Sequence, residues 1–428
     1  MENNKAKKAM KITIIGAGII GVSSAYFLAK SGYEVEVIDR QNGPGLETSF
    51  ANAGMLTPSM SDPWNSPGLM GSLISSLIGG HSSLSLTPRV LPSMVGWGFS
   101  FLNQSRQKYF YNNLHRSAEL CCYSMKVLTK LNDDLNINYQ GYKTGSMKIF
   151  RDQSAMDKLV KLSEHLKDHG MTFQVLKSKE LLKKEPSLKE AEHRLCGGVY
   201  FPDDHAGNAY QFTCEMEKKT RNLGVSFRYG VSVNKMVRDG EKITKLISSK
   251  GDFISDMFIL CAGSYSTPLA RTAGLNIPVR PAKGYSLTIP INGWNSGPRM
   301  PLIDDGSHLA ITPLGDTIRI AGTAEFVGYD RNIKKNRIGK LYNLFDEIYP
   351  QFSPYLERDK VKEWAGLRPL TADGSPYIGR TPIKNLHLNT GHGPLGWTMA
   401  AGSAKMLSNI LRGEKTILDE NSYSLNRH

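Results

Sequence analysis

The first strong pattern in the chain is KITII at Lys11–Ile15, a run of β-branched apolar residues without polar alternation. It predicts a short strand buried on both faces. Apolar positions then recur at helical spacing to about Lys30, Ser31 and Gly32 interrupt them, and 35–38 reads as a second strand. Residues 225–263 alternate short β-branched runs with turns at Gly230, Asp239-Gly240 and Lys250-Gly251, which predicts a meander feeding one more buried strand. Further strand-like stretches cover 278–290 and 310–322, and helical periodicity covers 154–167 and 338–349. There is no internal repeat or low-complexity tract. The mixture predicts an α/β chain.

Two stretches depart from this patterning. The apolar run 12–29 behind a basic N-terminus has the outline of a signal peptide or membrane span. Gly16, Gly18 and Gly21 interrupt it, no small-residue cleavage site follows, and the second strand begins at once. The other stretch is 63–105, where Arg89 is the sole formal charge among many Leu, Ser, Gly and Pro residues. No apolar run there is long enough to span a bilayer. It reads first as helices packed beside a substrate site, and second as an apolar patch that docks on a membrane.

The length of 428 residues allows two or three domains, and 40% hydrophobic with 21% charged residues is ordinary for a globular protein. Charge adds more: 53 Lys and Arg against 39 Asp and Glu give a net charge of +14, with Lys5, Lys7, Lys8 and Lys11 crowding the N-terminus. Such a surface attracts anions or an anionic membrane. No arginine-rich arm, zinc-finger spacing or RNA-binding motif accompanies it, so nucleic acid is not an expected partner. The five cysteines, at 121, 122, 196, 214 and 261, are odd in number and include no Cys-x-x-Cys. Reduced thiols in a cytoplasm are expected rather than disulfides or a zinc site.

Between the first strand and the helix stands Gly16-Ala17-Gly18-Ile19-Ile20-Gly21, a G-x-G-x-x-G turn. Gly16 permits the tight turn, Gly18 lets the backbone approach a pyrophosphate, and Gly21 lets the helix pack on the strand. The helix N-terminus offers free amides and partial positive charge to phosphates. Asp39 ends the second strand, where an acid accepts hydrogen bonds from an adenosine ribose. The whole unit predicts a dinucleotide site but does not choose between NAD and FAD. The loop GLETSFANAGML over 45–56 is rich in small and hydroxyl residues, and by itself is an ordinary turn-forming loop.

That loop and the glycine turn together resemble the FAD-dependent amino-acid oxidoreductases, the family of D-amino acid dehydrogenase, glycine oxidase and sarcosine oxidase. Four further segments carry the resemblance: FILCAGSYS at 258–266, KGYSLT at 283–288, GLRPLTADGSP at 366–376 and NTGHGPLGWT at 389–398. The resemblance implies a discontinuous Rossmann-like FAD-binding domain formed by 1–60, 195–270 and 363–428. A second α+β substrate domain on an antiparallel sheet would use 61–194 and 271–362. Expected cofactor positions in the first segment are Gly16, Gly18, Ile19, Ile20, Gly21, Asp39 and Arg40. In the loop they are Thr48, Ser49, Ala53, Gly54 and Met55, and in the middle of the chain Val233 and Gly263. Near the C-terminus they are Gly391, Gly393, Gly396, Trp397 and Thr398, where a helix start would face the ring and stabilise negative charge on it. Some relatives attach flavin through a cysteine in the C-terminal half; this chain has none after Cys261, so non-covalent FAD is expected.

The implied reaction is oxidative deamination of a small D-amino acid of the D-alanine type. Hydride passes from Cα to flavin N5, and water hydrolyses the imino acid to the 2-oxo acid and ammonia. Arg368 is the expected carboxylate clamp, because its planar fork makes two parallel hydrogen bonds and stays charged. Tyr285 is a second candidate for the carboxylate, and His392 a candidate contact to flavin or substrate. A structural salt bridge from Arg368 to Asp373 or Glu363 is the competing role for the arginine. His165 and His169 share an H-x-x-x-H spacing without a third ligand in view, so no metal is expected. The dehydrogenase branch implies a quinone or other respiratory acceptor, a cytoplasmic protein, and peripheral association with the inner face of the membrane. An oxygen-using glycine or D-amino acid oxidase and a D-hydroxyproline dehydrogenase are near variants. A non-catalytic flavin- or NAD-binding module is the alternative of another class.

Overall fold

The computed structural model describes residues 9–65, 67, 84–87 and 90–427. The basic cluster at Lys5, Lys7 and Lys8, and 66, 68–83 and 88–89 of the charge-poor stretch, lie outside the described residues.

Lys11–Ile15 lies in a six-stranded sheet, hydrogen-bonded in parallel to Glu34–Asp39 on one side and Met257–Leu260 on the other. Ser226–Tyr229 and Leu386–Thr390 extend it in parallel, and Tyr377–Arg380 closes one edge antiparallel. Strand periodicity divides its side chains between two cores. Ile12, Ile14, Val35 and Val37 pack with helices, and Ile15, Ile38, Phe258 and Leu260 pack with Met236, Leu246 and Phe253 of the meander. That meander is a separate antiparallel sheet of Val233–Asp239, Lys242–Ser248 and Gly251–Phe253. On the helical face, Ile19–Lys30 and Gln107–Leu135 both lie against Gly396–Arg412. The approach is close at Gly402, where a Cβ would stand 2.7 Å from Ser124 Cα.

Among the described residues the second sheet has nine strands, eight of them in the order Lys362–Leu370, Arg280–Pro290, Thr317–Phe326, Leu309–Leu314, Leu302–Asp304, Ser146–Phe150, Gly197–Phe201 and Gln174–Lys177. Leu84–Leu86 pairs in parallel with Thr317–Phe326 off that path. The sheet is otherwise antiparallel except where Leu302–Asp304 meets Ser146–Phe150. Helix Lys335–Ile348 sets Leu341 and Phe345 against Leu287, Ile289, Ile311 and Ile320. Gly197–Phe201 and Lys362–Leu370 come from ranges expected in the nucleotide domain, yet both pair in this sheet, and helix Gln107–Leu135, expected in the substrate domain, sits on the six-stranded one. Those ranges therefore contribute to both cores.

Helix Leu91–Gln104 carries no charged side chain. One face sets Trp97 against Ala282, Phe326 and Leu370, while Leu91, Val95 and Phe99 on another are exposed, Phe99 by 71%.

Candidate cofactor and substrate site

A cavity of about 940 Å³ reaches from the N-terminal glycine turn to Lys362–Leu370 and the start of helix Gly396–Arg412. At its first end, Gly16 has φ +111° and donates its N–H to the Ile38 carbonyl at 2.9 Å. A Cβ on Gly16 would stand 2.6 Å from the Cys261 carbonyl oxygen, and one on Gly21 would collide with the Gly16 carbonyl. Gly18 precedes the helix without a side-chain cap, and among the described residues a Cβ there would meet only Ser49 Oγ, at 3.5 Å. The cavity thus abuts a helix N-terminus whose amides carry partial positive charge, the first of them, that of Ile19, bonded to Ser49 Oγ. The residues fit a pyrophosphate here because the space a Gly18 side chain would fill is open.

Asp39 does more than end its strand. Its Oδ2 accepts from the Ala17 amide at 2.6 Å and Oδ1 from the Gln41 amide at 2.8 Å. Burial pushes its carboxyl above the usual range, and the two amides counter that. Arg40 pairs with Glu47 at 2.5 Å and lies over the Tyr265 ring, Cζ 3.7 Å from the centroid. The two loop hydroxyls are used in ties: Ser49 Oγ accepts from the Ile19 amide at 3.1 Å and Thr48 Oγ1 donates to the Leu367 carbonyl at 2.8 Å. Ile19, Ile20, Ala53, Gly54, Met55, Val233 and Gly263 line the cavity, as do Gly393, Gly396 and Trp397. Gly263 has φ +52° and, among the described residues, nothing within 4 Å of an added Cβ.

Gly21, Gly391 and Thr398 stand behind the wall. At Gly391, φ is +88° and a Cβ would reach Thr371 Cγ2 at 2.7 Å, so the residue serves the turn that presents 393–397. Thr398 Oγ1 accepts from the Thr57 amide at 3.0 Å, tying the loop to the last helix.

At the other end, the Arg368 guanidinium donates from Nη1 to the Thr323 carbonyl at 3.0 Å, and its Cζ lies 5.7 Å from the Trp64 ring centroid. Burial lowers its pKa to about 10, which leaves it charged at neutral pH. Among the described residues no carboxylate lies within 4.0 Å of it. Asp373, one of its candidate structural partners, is held instead by Arg116 at 2.9 Å and Arg427 at 2.7 Å. Tyr285 lines the cavity but its hydroxyl donates to the buried Glu325 at 2.7 Å, and Glu325 also pairs with Arg337 at 2.8 Å. His392 is 2% exposed, burial lowers its pKa to about 3, and its Nε2 has no partner among the described residues. It is a neutral imidazole on the wall rather than an acid.

Sequence reasoning did not find Thr323, Trp64, Trp364, Lys148 or Asp305 on this wall. Only Trp64 and Trp364, as aromatics beside Pro63 and before Gly366, carry a local signal. Outside the cavity, His169 Nε2 lies 2.8 Å from Nδ1 of His115, a residue that the His165/His169 spacing did not reveal.

A parallel sheet with a glycine-turn helix, a second sheet, and a long cavity between them define a dinucleotide-dependent oxidoreductase. The chain belongs to the family described as FAD dependent oxidoreductase, which matches residues 11–410, and its cofactor is FAD. It is 39% identical over 419 residues to a D-amino acid dehydrogenase of Allorhizobium ampelinum, covering 98% of this chain and 99% of that one. A D-amino acid dehydrogenase of Rhodopseudomonas palustris is 38% identical, with 98% of each chain covered. Among solved structures, glycine oxidase from Bacillus cereus superposes with a TM-score of 0.74 at 21% identity, over 98% of this chain and 99% of that one. The resemblance carried by the six sequence segments is thereby borne out, as are the α/β fold and FAD.

Proposed function

We propose that this enzyme oxidatively deaminates a small D-amino acid and passes the electrons to a quinone or other respiratory acceptor. The observation that carries the reading is Arg368: a half-buried guanidinium on the cavity wall with no carboxylate partner among the described residues. A charge partly withdrawn from water without a counter-ion is costly, and a substrate carboxylate offsets that cost. The high identity to D-amino acid dehydrogenases along nearly the whole chain supports the substrate class.

The glycine turn, Asp39, Arg40, the 48–55 loop, Val233, Gly263 and the 391–398 segment would hold FAD without a covalent link, and the group would supply the acceptor for the hydride equivalent from Cα. The protein's own residues bind, orient and shield. Arg368 holds the carboxylate, which fixes Cα. His392 stays neutral, so it adds no cation beside the substrate amine, which must lose its proton before oxidation. Tyr285 acts through Glu325 as a brace for the wall rather than as a free hydroxyl. The imino acid then meets water and hydrolyses to the 2-oxo acid and ammonia.

No helix among the described residues is long and apolar enough to cross a membrane. The exposed Leu91, Val95 and Phe99 on an uncharged helix support peripheral docking at the inner face of the membrane. The test is a panel of D- and L-amino acids with dye, quinone and oxygen as acceptors. Dye or quinone reduction with small D-amino acids is the expected result. Oxygen consumption with matching peroxide, and no dye reduction, would move the enzyme to the oxidases.

A further inference from the structure

Between Arg280–Pro290 and Thr317–Phe326 the ladder slips: Lys283 pairs with Glu325, but Tyr285 pairs with Gly322. Thr323 and Ala324 therefore face Gly284 alone, which is a β-bulge. Thr323 takes φ +59°, the conformation a glycine supplies in the bulge type that needs it. It is the only β-branched residue with positive φ among the described residues, and such a conformation is costly for that side-chain type. A glycine here would avoid the strain, so the threonine side chain has a use that offsets it.

The bulge has two consequences in space. It turns the Thr323 carbonyl onto Arg368 Nη1 at 3.0 Å. It also leaves Thr323 Oγ1 buried, without a partner among the described residues, in a residue that lines the cavity and is 7% exposed. A buried hydroxyl that makes no hydrogen bond in the free protein marks a ligand contact or a loss of stability. A bound carboxylate has about four acceptor sites, of which a bidentate arginine fills two.

We infer that Thr323 is a second carboxylate ligand: its carbonyl holds the Arg368 guanidinium, and its Oγ1 donates to the same substrate carboxylate. The inference rests on the reading of Arg368 as the clamp. Thr323 thus adds a third donor to the carboxylate that the Arg368 fork holds.

The experiment compares Thr323→Val, Thr323→Ser and Arg368→Ala in the FAD-loaded enzyme. Calorimetry measures the Kd of propionate, an unreactive carboxylate, and steady-state kinetics measures KM and kcat for D-alanine. Thr323→Val is near-isosteric and removes only the donor, so Kd and KM rise about 10-fold or more, the scale of a hydrogen bond to a charged group. FAD content and Tm stay near wild type and kcat changes little, a split that a merely structural role would not produce. Thr323→Ser stays within about 3-fold of wild type, because it keeps the hydroxyl. If the valine variant does not fold, Thr323→Ala removes the hydroxyl together with the strained branch and is read the same way. Unchanged propionate affinity in Thr323→Val, with a large loss in Arg368→Ala, overturns this inference and leaves the clamp standing. Unchanged affinity in both overturns the clamp itself. A serine variant as weak as the valine one assigns the effect to packing and also overturns the inference.

Discussion

Gly284 stands on the strand beside Arg368, and a Cβ on it would lie 2.5 Å from the guanidinium carbon. Their strands pair with Gly284 opposite Gly366 and Ala282 opposite Arg368, so Gly284 and Arg368 are diagonal neighbours. Gly366 plays the same part for Trp364, whose ring occupies the space a Cβ there would take. Two missing side chains therefore let an arginine and a tryptophan on one strand fold over the sheet beside the cavity.

Gly284→Ala should move the guanidinium without touching its charge. Overpacking of this kind costs about 1–3 kcal/mol of stability. The larger effect is expected on the substrate, with KM for the best amino acid rising by about 10-fold or more as the fork loses alignment. Steady-state kinetics beside a thermal melt checks it. An unchanged KM would show that Arg368 does not need its observed position.

Arg368→Ala should keep its FAD and lose about 2–5 kcal/mol in kcat/KM, the scale for breaking a buried charge pair. Arg368→Lys should recover only part, because a point charge cannot make two parallel bonds. Full activity in the alanine variant would remove the clamp assignment, and the bound-FAD spectrum separates this from misfolding.

The nucleotide end was legible because its determinants are local. Gly16, Gly18, Gly21 and Asp39 sit in one strand-helix-strand unit, and each task depends on neighbours within that unit. The segment around Arg368 was legible through its resemblance to a family. What lay beyond reach was pairing between distant strands. Nothing near Thr323 announces a bulge, since the slip belongs to two strands together. Likewise, Glu325 takes the Tyr285 hydroxyl from 40 residues away. Gly197–Phe201 and Lys362–Leu370 read as ordinary strands, and only their partners place them in the nine-stranded sheet.

Gly18 and Gly21 should fail in different ways. Gly21→Ala drives a methyl into the Gly16 carbonyl, so the protein itself loses stability and the melt falls with or without FAD. Gly18→Asp has room in the protein but places a carboxylate on the pyrophosphate path. Its melt without FAD should match that of wild type, while the purified protein is colourless. Equal losses of stability in both variants would show that Gly18 is needed for the turn rather than for the cofactor.

Acid should destabilise this protein before its surface carboxylates titrate, and two buried histidines are the reason. Burial lowers His392 to about 3 and, together with the nearby Arg380, lowers His387 to about 4. The unfolded chain protonates each near the ordinary value of about 6.5. Below that pH the unfolded state binds protons that the folded state refuses, so stability falls as pH drops, by about 1.4 kcal/mol per pH unit per imidazole. Asp204 works the other way: burial raises it to about 6, so the folded state takes up a proton there before the unfolded state does. Burial likewise raises Asp39 and Glu185, which oppose the histidines, and lowers His169 and His205, which add to them. His387 lies outside the cavity wall, so His387→Gln isolates one contribution without touching the site. Urea melts between pH 7 and 4 should show the variant's slope shallower than wild type by about 1.4 kcal/mol per unit, and unchanged above pH 7. Parallel slopes for the two proteins would mean that His387 is not held neutral in the folded state.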